Sequence, residues 1–222
     1  MGASETDFWA GFDLAGYSFT DFPPGDVVVD VGCGSGKQLA ELVSKGCRAI
    51  GVESDPVKVR ALRARGLVVH QAKAESLPLE EESVDGVICK VVIPYTDEQV
   101  AISECARVLR PSGRIDVVYH GAGYYLRYLF AAPSWKYRVY AVRAILNTWL
   151  YSLTGTRIPG WIGDTLYQSR RRLARYYSAN SLVIDRDSSP RTYLGCPVFI
   201  YHRLRKLDSP DSASAGGEAS GA

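Results

Sequence analysis

The stretch VVVDVGCGSGKQL, residues 27–39, decides the fold of this chain. It begins with valines around Asp30 and continues with three glycines, Gly32, Gly34 and Gly36, that are spaced two residues apart. A strand that ends near an acid and turns through glycines into a helix lets the backbone approach a ligand closely, and it points helix N–H groups at that ligand. The stretch therefore predicts a nucleotide-like ligand at the turn.

Short β-rich runs alternate with helical patterns from residue 26 to about residue 120. Helices are expected near residues 36–45, 56–65 and 97–110, and the strands are expected at DVVVDV, RAIGVE, LVVHQA, VDGVICKVV and GRIDVVYH. Strict alternation predicts a parallel sheet with right-handed crossovers and helices on both faces. The expected fold class is α/β, an open doubly wound sheet whose ligand crevice lies beyond the carboxyl ends of the strands.

The alternation stops in residues 122–180, which we call the insertion. Nine basic residues and one acid give the insertion a net charge of +8, and it holds 13 of the chain's 24 aromatic residues. A long helix, a break at GTRIPG and a second helix near 164–179 are predicted there. The long helix is indicated by apolar residues at helical spacing, which are Val139, Val142, Leu146, Trp149, Leu150 and Leu153.

Two final strands, SLVIDRD and PVFIYHRLR, complete an expected sheet of seven, so that the insertion follows the fifth strand. We therefore predict one domain over residues 1–206, with a cofactor-binding half at 26–120 and a helical substrate cover at 122–180. The small polar residues at 207–222 predict a disordered tail.

Composition excludes several classes of protein. The chain has 222 residues, of which 46% are hydrophobic and 23% are charged, and its net charge is +2, so one ordinary globular domain is expected. Five scattered cysteines without a CxxC pair predict neither a disulfide framework nor a metal site. The acidic start MGASETDFWAGFD and the lack of an 18-residue uncharged apolar run favour a cytoplasmic protein.

The pattern DxGxGxG over residues 30–36 resembles motif I of the class I S-adenosylmethionine-dependent methyltransferases. Three later motifs resemble those of the same family in the same order: AIGVESDP, AESLPLEEESVDGVIC and ECARVLRPSGRIDVV. Together they cover residues 26–120 and are similar to the small-molecule, methyltransferase type 11-like branch. The resemblance implies a seven-stranded, mostly parallel Rossmann-like sheet and S-adenosylmethionine as the cofactor.

The resemblance also implies which residues hold the cofactor. Glu53, at the end of the second strand, corresponds to the carboxylate that accepts the ribose hydroxyls. The full set of implied cofactor residues is Asp30, Gly32, Cys33, Gly34, Gly36, Glu53, Ser54, Ala74, Glu75 and Lys90. The chain departs from the family at Lys73, where an acid is common, and at Pro94 and Tyr95, where a histidine is common.

Methyl transfer is an in-line displacement that asks the protein mainly for alignment. His120 ends the fifth strand at the crevice and is the candidate for a catalytic or substrate-orienting role. Four tyrosines are candidates for binding the acceptor, and they are Tyr17, Tyr95, Tyr124 and Tyr125. We expect a small, aromatic or hydrophobic acceptor.

Several alternatives remain open at this point. The insertion could pack structurally, line an apolar pocket, contact an anionic membrane peripherally, or bind nucleic acid, which is unlikely because the family's NPPY motif is absent. The protein could bind S-adenosylmethionine without transferring methyl, or it could methylate lipid or RNA. A nucleotide-dependent oxidoreductase would share the fold but is disfavoured by the glycine spacing.

Overall fold

The computed structural model describes residues 19–156, 165–189 and 191–208. Nine strands are found in these ranges: β1 (Val27–Val31), β2 (Arg48–Glu53), β3 (Val69–Gln71), β4 (Val84–Lys90), β5 (Leu109–His120), β6 (Leu182–Ser188), β7 (Thr192–Tyr193), β8 (Cys196–Pro197) and β9 (Phe199–Lys206). Seven of them form one sheet in the order β3-β2-β1-β4-β5-β9-β6, while β7 and β8 form a small hairpin.

The large sheet is parallel except for one strand. Strand β9 runs antiparallel between β5 and β6, and the other pairs are parallel. Chain connections run from β1 towards β2 on one side and towards β4 on the other, so the order reverses between β1 and β4. The predicted doubly wound, seven-stranded sheet is confirmed, and its ligand crevice is expected at this reversal.

Six α-helices connect and cover the strands within the described residues: α1 (Lys37–Ser44), α2 (Pro56–Ala64), α3 (Glu98–Val108), α4 (Ala122–Ala131), α5 (Trp135–Thr154) and α6 (Arg170–Ala179). The capping residue of α3 is Asp97, whose side chain accepts from the Val100 N–H.

The core lies on both faces of the sheet because neighbouring residues of a strand point to opposite sides. Val28 packs with residues of α1 and α2, such as Leu42 and Leu62. Val29 packs on the other face with residues of α3 and α6, such as Ile102 and Tyr177. Helices therefore cover both faces, as predicted.

The insertion contains three helices within its described residues, whereas the sequence predicted two. Helices α4 and α5 form a hairpin with a core of its own, in which Tyr125, Tyr128 and Ala141 are buried. Helix α6 is held against α3 by a buried ion pair between Arg172 and Glu98, so this arginine does not lie on a solvated face. Of the predicted tail, residues 209–222 lie outside the described residues.

Candidate functional site

Four strand ends meet around a cavity of about 490 Å³ at the reversal of the strand order. Its walls come from the last residues of β2 and β4 and from the segments that follow β1, β2, β3 and β4, as expected for the carboxyl edge of a parallel sheet. The lining residues are Gly32, Gly34, Val52, Glu53, Ser54, Lys58, Ala72, Lys73, Ala74, Glu75, Lys90, Val91, Val92, Tyr95 and Thr96.

The three glycines of the turn all adopt a left-handed backbone, with φ of +69° at Gly32, +53° at Gly34 and +74° at Gly36. A Cβ on Gly32 would lie 2.2 Å from Val92 Cγ2, and a Cβ on Gly36 would lie 2.5 Å from Leu62 Cδ2. A Cβ on Gly34 would come no closer than 3.9 Å to another residue of the protein. Gly32 and Gly36 are thus required for packing, whereas Gly34 leaves open space.

Glu53 forms part of the cavity wall and is fixed by backbone donors. Its Oε2 accepts from the Gly34 N–H at 3.0 Å, and its Oε1 accepts from the Ser54 and Asp55 N–H groups at 2.9 and 3.1 Å. Since a carboxylate offers about four acceptor positions, about one stays available for a ligand hydroxyl in this arrangement. The carboxylate also links the glycine turn to the end of β2.

Asp30 is buried beneath the turn, with 2% of its surface exposed, and does not line the cavity. Burial raises the pKa of Asp30 from 3.8 to about 7, while the nearby Lys90 ammonium opposes that rise. Asp30 Oδ2 has no hydrogen-bond partner among the described residues. A buried acceptor without a partner is costly, so this oxygen is suited to a donor or cation supplied by a ligand.

Lys90 lines the cavity at the end of β4. Burial lowers its pKa, and the Asp30 carboxylate opposes that shift. Its Nζ lies 4.6 Å from the ring centroid of Phe19, a distance at which a cation is attracted by an aromatic face. Lys90 therefore brings a positive charge to the cavity on the side of Asp30.

The segment after β3 lines the cavity through Lys73, Ala74 and Glu75. Glu75 Oε1 accepts from the backbone N–H of Asp97 at 3.0 Å, so this carboxylate connects the segment to the start of α3. Lys73, which stands where the family commonly has an acid, and Glu75 both line the cavity.

His120 lies behind the cavity wall rather than on it. Its imidazole is 3% exposed and stacks on Tyr124, with ring centroids 3.8 Å apart. Its Nδ1 lies 3.4 Å from the Tyr125 hydroxyl, and its backbone oxygen accepts from the Gln168 N–H at 3.0 Å. Burial lowers the pKa of His120 to about 3, which makes the ring neutral and weakly basic near pH 7.

The tyrosines around His120 form a continuous aromatic layer. Tyr95 is exposed at the cavity, and its ring lies edge-on to His120 at 6.1 Å between centroids. Tyr124 donates to the Tyr128 hydroxyl at 3.2 Å, and Tyr125 is fully buried. Tyr17 lies outside the described residues. Among the described tyrosines named from the sequence, Tyr95 alone lines the cavity.

Seven of the ten cofactor residues named from the sequence line the cavity, while Asp30, Cys33 and Gly36 support it from behind. Val91 also lines the cavity and was not foreseen. It has a φ of +57°, which is unusual for a β-branched residue, and its N–H donates to the Val118 oxygen at 3.0 Å. No signal in the sequence marks this conformation.

Residues 29–117 match a protein family described as a methyltransferase domain. An uncharacterised methyltransferase of Mycobacterium bovis is 38% identical to the chain over 95 residues, which are 42% of this chain and 39% of that protein. The chain thus spans about two fifths of the length of the first curated relatives that it matches.

Solved structures of low sequence identity share the fold. A crystal structure of an S-adenosylmethionine-dependent methyltransferase from Methanosarcina mazei matches with a TM-score of 0.59 and 22% identity, over 85% of this chain and 95% of that one. A second match is the 1,6-didemethyltoxoflavin-N1-methyltransferase of Burkholderia thailandensis, solved with 1,6-didemethyltoxoflavin and S-adenosylhomocysteine. It matches with a TM-score of 0.56 and 15% identity, over 83% of this chain and 72% of that one.

Proposed function

We propose that this chain is a class I S-adenosylmethionine-dependent methyltransferase that transfers a methyl group to a small acceptor, aromatic or hydrophobic. The match of residues 29–117 to a methyltransferase domain supports this proposal. One observation carries the proposal. The glycine turn and Glu53 share a cavity at the reversal of the strand order with an exposed aromatic ring, Tyr95.

Three features of the described residues fit the cofactor. The unpartnered Asp30 Oδ2 suits an ammonium group, the open space beside Gly34 suits close approach of a ligand, and Glu53 suits a ribose hydroxyl. Ala74 and Glu75 would edge the adenine. When bound, S-adenosylmethionine supplies a methyl group activated by its sulfonium centre.

The protein's part in the reaction is to align the acceptor and to exclude water. Tyr95 offers a flat ring at the cavity, and His120 and Tyr124 support that ring from behind. The low pKa of His120, about 3, makes it a weak proton acceptor, so the aromatic layer contributes mainly by positioning. This chemistry fits any flat apolar acceptor and is not restricted to the 1,6-didemethyltoxoflavin of the Burkholderia enzyme.

Tyr95 is the residue that tests this account. Replacement by alanine removes the ring and should raise the KM for the acceptor by about tenfold or more, whereas Tyr95→Phe keeps the ring and should change KM by less than about threefold. Neither change should alter affinity for S-adenosylhomocysteine. Equal KM values in all three proteins would exclude Tyr95 from acceptor binding.

Formation of S-adenosylhomocysteine with panels of phenols, heterocycles, lipids and RNA is the decisive measurement. Product that appears only with small flat acceptors would support the proposal. Cofactor binding without product in any panel would favour a protein that binds S-adenosylmethionine without transferring methyl. Product with lipid alone would favour a lipid methyltransferase, and product with RNA alone would favour an RNA methyltransferase.

We also propose a cytoplasmic location. The five cysteines are free, and four of them are buried, namely Cys33, Cys47, Cys89 and Cys105. Free thiols are typical of a reducing compartment. Cell fractionation that places the protein outside the cytoplasm would contradict this.

A further inference from the structure

Helix α5 exposes large apolar residues and buries small or polar ones. Its solvent-facing side carries six large apolar residues, with exposures from 42% at Val139 to 83% at Leu153. We call these residues the apolar stripe: Trp135, Val139, Val142, Leu146, Trp149 and Leu153. The buried side of the same helix consists of Ala141, Ala144, Asn147 and Thr148.

The stripe is one continuous face. Its members alternate at spacings of four and three residues along the helix. At about 100° per residue, all six fall within about 40° of a single line, directly opposite the buried residues. A contiguous exposed apolar face of this length marks a surface that binds something.

The charged residues of the helical hairpin that carries the stripe all have one sign. Residues 122–156 contain no acid, and their four basic residues are Arg127, Lys136, Arg138 and Arg143. On the same helical projection, Arg138 lies on one side of the stripe, and Lys136 and Arg143 lie on the other. Lys136 and Arg138 are exposed, and Arg143 is half-buried.

We propose that the apolar stripe of α5 binds the surface of an anionic membrane, with the helix lying parallel to the bilayer. The chemistry is that of an interfacial helix, in which apolar and tryptophan side chains enter the headgroup boundary while cations on the flanks reach lipid phosphates. Because the opposite side of α5 packs on α4, the stripe is the side of α5 that can face the lipid.

A second copy of the chain is a less suitable occupant. Stripes that repeat at four and three residues can pair as coiled coils, but such pairs use flanking charges of opposite sign. Here two copies would place cations against cations on their flanks, which disfavours association. Charge complementarity therefore selects an anionic surface.

Two variants of the full chain test the proposal. Leu146→Gln with Leu153→Gln removes apolar contacts from exposed positions, and its matched control is Val43→Gln with Val57→Gln, two exposed apolar residues on α1 and α2. Lys136→Gln with Arg138→Gln removes flanking charge, and its control is Arg48→Gln with Arg60→Gln, which are also exposed.

Binding is measured by sedimentation with vesicles of phosphatidylcholine alone and of phosphatidylcholine with phosphatidylserine. We expect binding to the mixed vesicles only, weaker at high salt, with a blue shift of tryptophan fluorescence. Each stripe variant should lose about tenfold or more in affinity, and each control should stay within about threefold of the original chain.

Four results would overturn the proposal, and three of them concern binding and assembly. They are no vesicle binding at low salt, equal loss in stripe and control variants, and a dimer in sedimentation equilibrium that the Leu146 and Leu153 changes dissociate. Equal binding to both vesicle types would also contradict it, because the flanking cations would then contribute nothing. Circular dichroism and thermal melts confirm that each variant folds.

Discussion

Gly34 and Gly25 provide a matched pair that separates ligand contact from backbone strain. Both have a positive φ, +53° at Gly34 and +94° at Gly25, and neither would bring a Cβ within 3.4 Å of another residue. Alanine at either position should therefore cost about 1–2 kcal/mol of stability through the backbone alone. Only Gly34 lines the cavity.

The added methyl group of Gly34→Ala occupies space that the cofactor would use. Overpacking by one methyl typically costs about 1–3 kcal/mol, which corresponds to a loss of about 5- to 150-fold in affinity. Gly25→Ala should leave affinity unchanged. Both variants should melt a few degrees lower, since about 1 kcal/mol shifts the melting temperature of a domain of this size by about 2–4 °C.

Calorimetric titration with S-adenosylhomocysteine measures the affinities without turnover. If Gly34→Ala binds as tightly as the original chain, the cofactor does not pass over Gly34. If Gly25→Ala loses as much affinity as Gly34→Ala, the effect comes from loosening of the fold, and the assignment of the turn to cofactor binding loses its support.

Three further predictions concern titratable groups in and around the site. Glu53→Ala should weaken cofactor binding by about ten- to a hundredfold. The control Asp55→Ala, which removes a neighbouring helix cap, should lower stability by about 1 kcal/mol and leave cofactor affinity unchanged. Equal losses of affinity in the two variants would contradict the assignment of Glu53 to cofactor binding. Because the pKa of His120 is lowered to about 3, the pH profile of kcat should show no inflection near pH 6.5 that is due to this residue. An inflection near pH 6.5 that disappears in His120→Gln would instead identify His120 as a general base. Because burial raises the pKa of Asp30 from 3.8 to about 7, its ionisation opposes folding, and the free energy of unfolding should fall by up to about 4 kcal/mol as the pH rises between these values. Asp30→Asn should remove that fall. If denaturant unfolding gives the original chain and Asp30→Asn parallel profiles of stability against pH, the raised pKa is refuted.

The sheet and the glycine turn could be predicted because their signals are local. Alternating apolar runs determine strands, and glycines spaced two apart determine a tight left-handed turn, whatever packs against them. Which side of the turn faces the ligand is a tertiary property. Gly36 therefore meets Leu62 of α2 instead of the cavity, and Cys33 is buried in the core, although both belong to the same motif as Gly34.

The aromatic layer shows a second limit of prediction. His120 does end β5, as expected, but the helix that follows places Tyr124 on its ring and removes it from solvent. A histidine's basicity depends on this burial, which no spacing in the sequence encodes. The backbone conformation of Val91 also depends on tertiary structure, because its positive φ accompanies a hydrogen bond to Val118 on the neighbouring strand.

Helix α5 shows why periodicity identifies a helix but not its orientation. Apolar residues at helical spacing ordinarily mark the buried side, and here they mark the exposed one, because α4 packs against the small residues Ala141 and Ala144. Small side chains let two helices approach closely, and the inner tyrosines then fill the remaining space: Tyr140 reaches Thr165, with 2.9 Å between their hydroxyl oxygens. The hairpin is thus stabilised without the six residues of the apolar stripe, and that is the physical reason they remain available for an external surface.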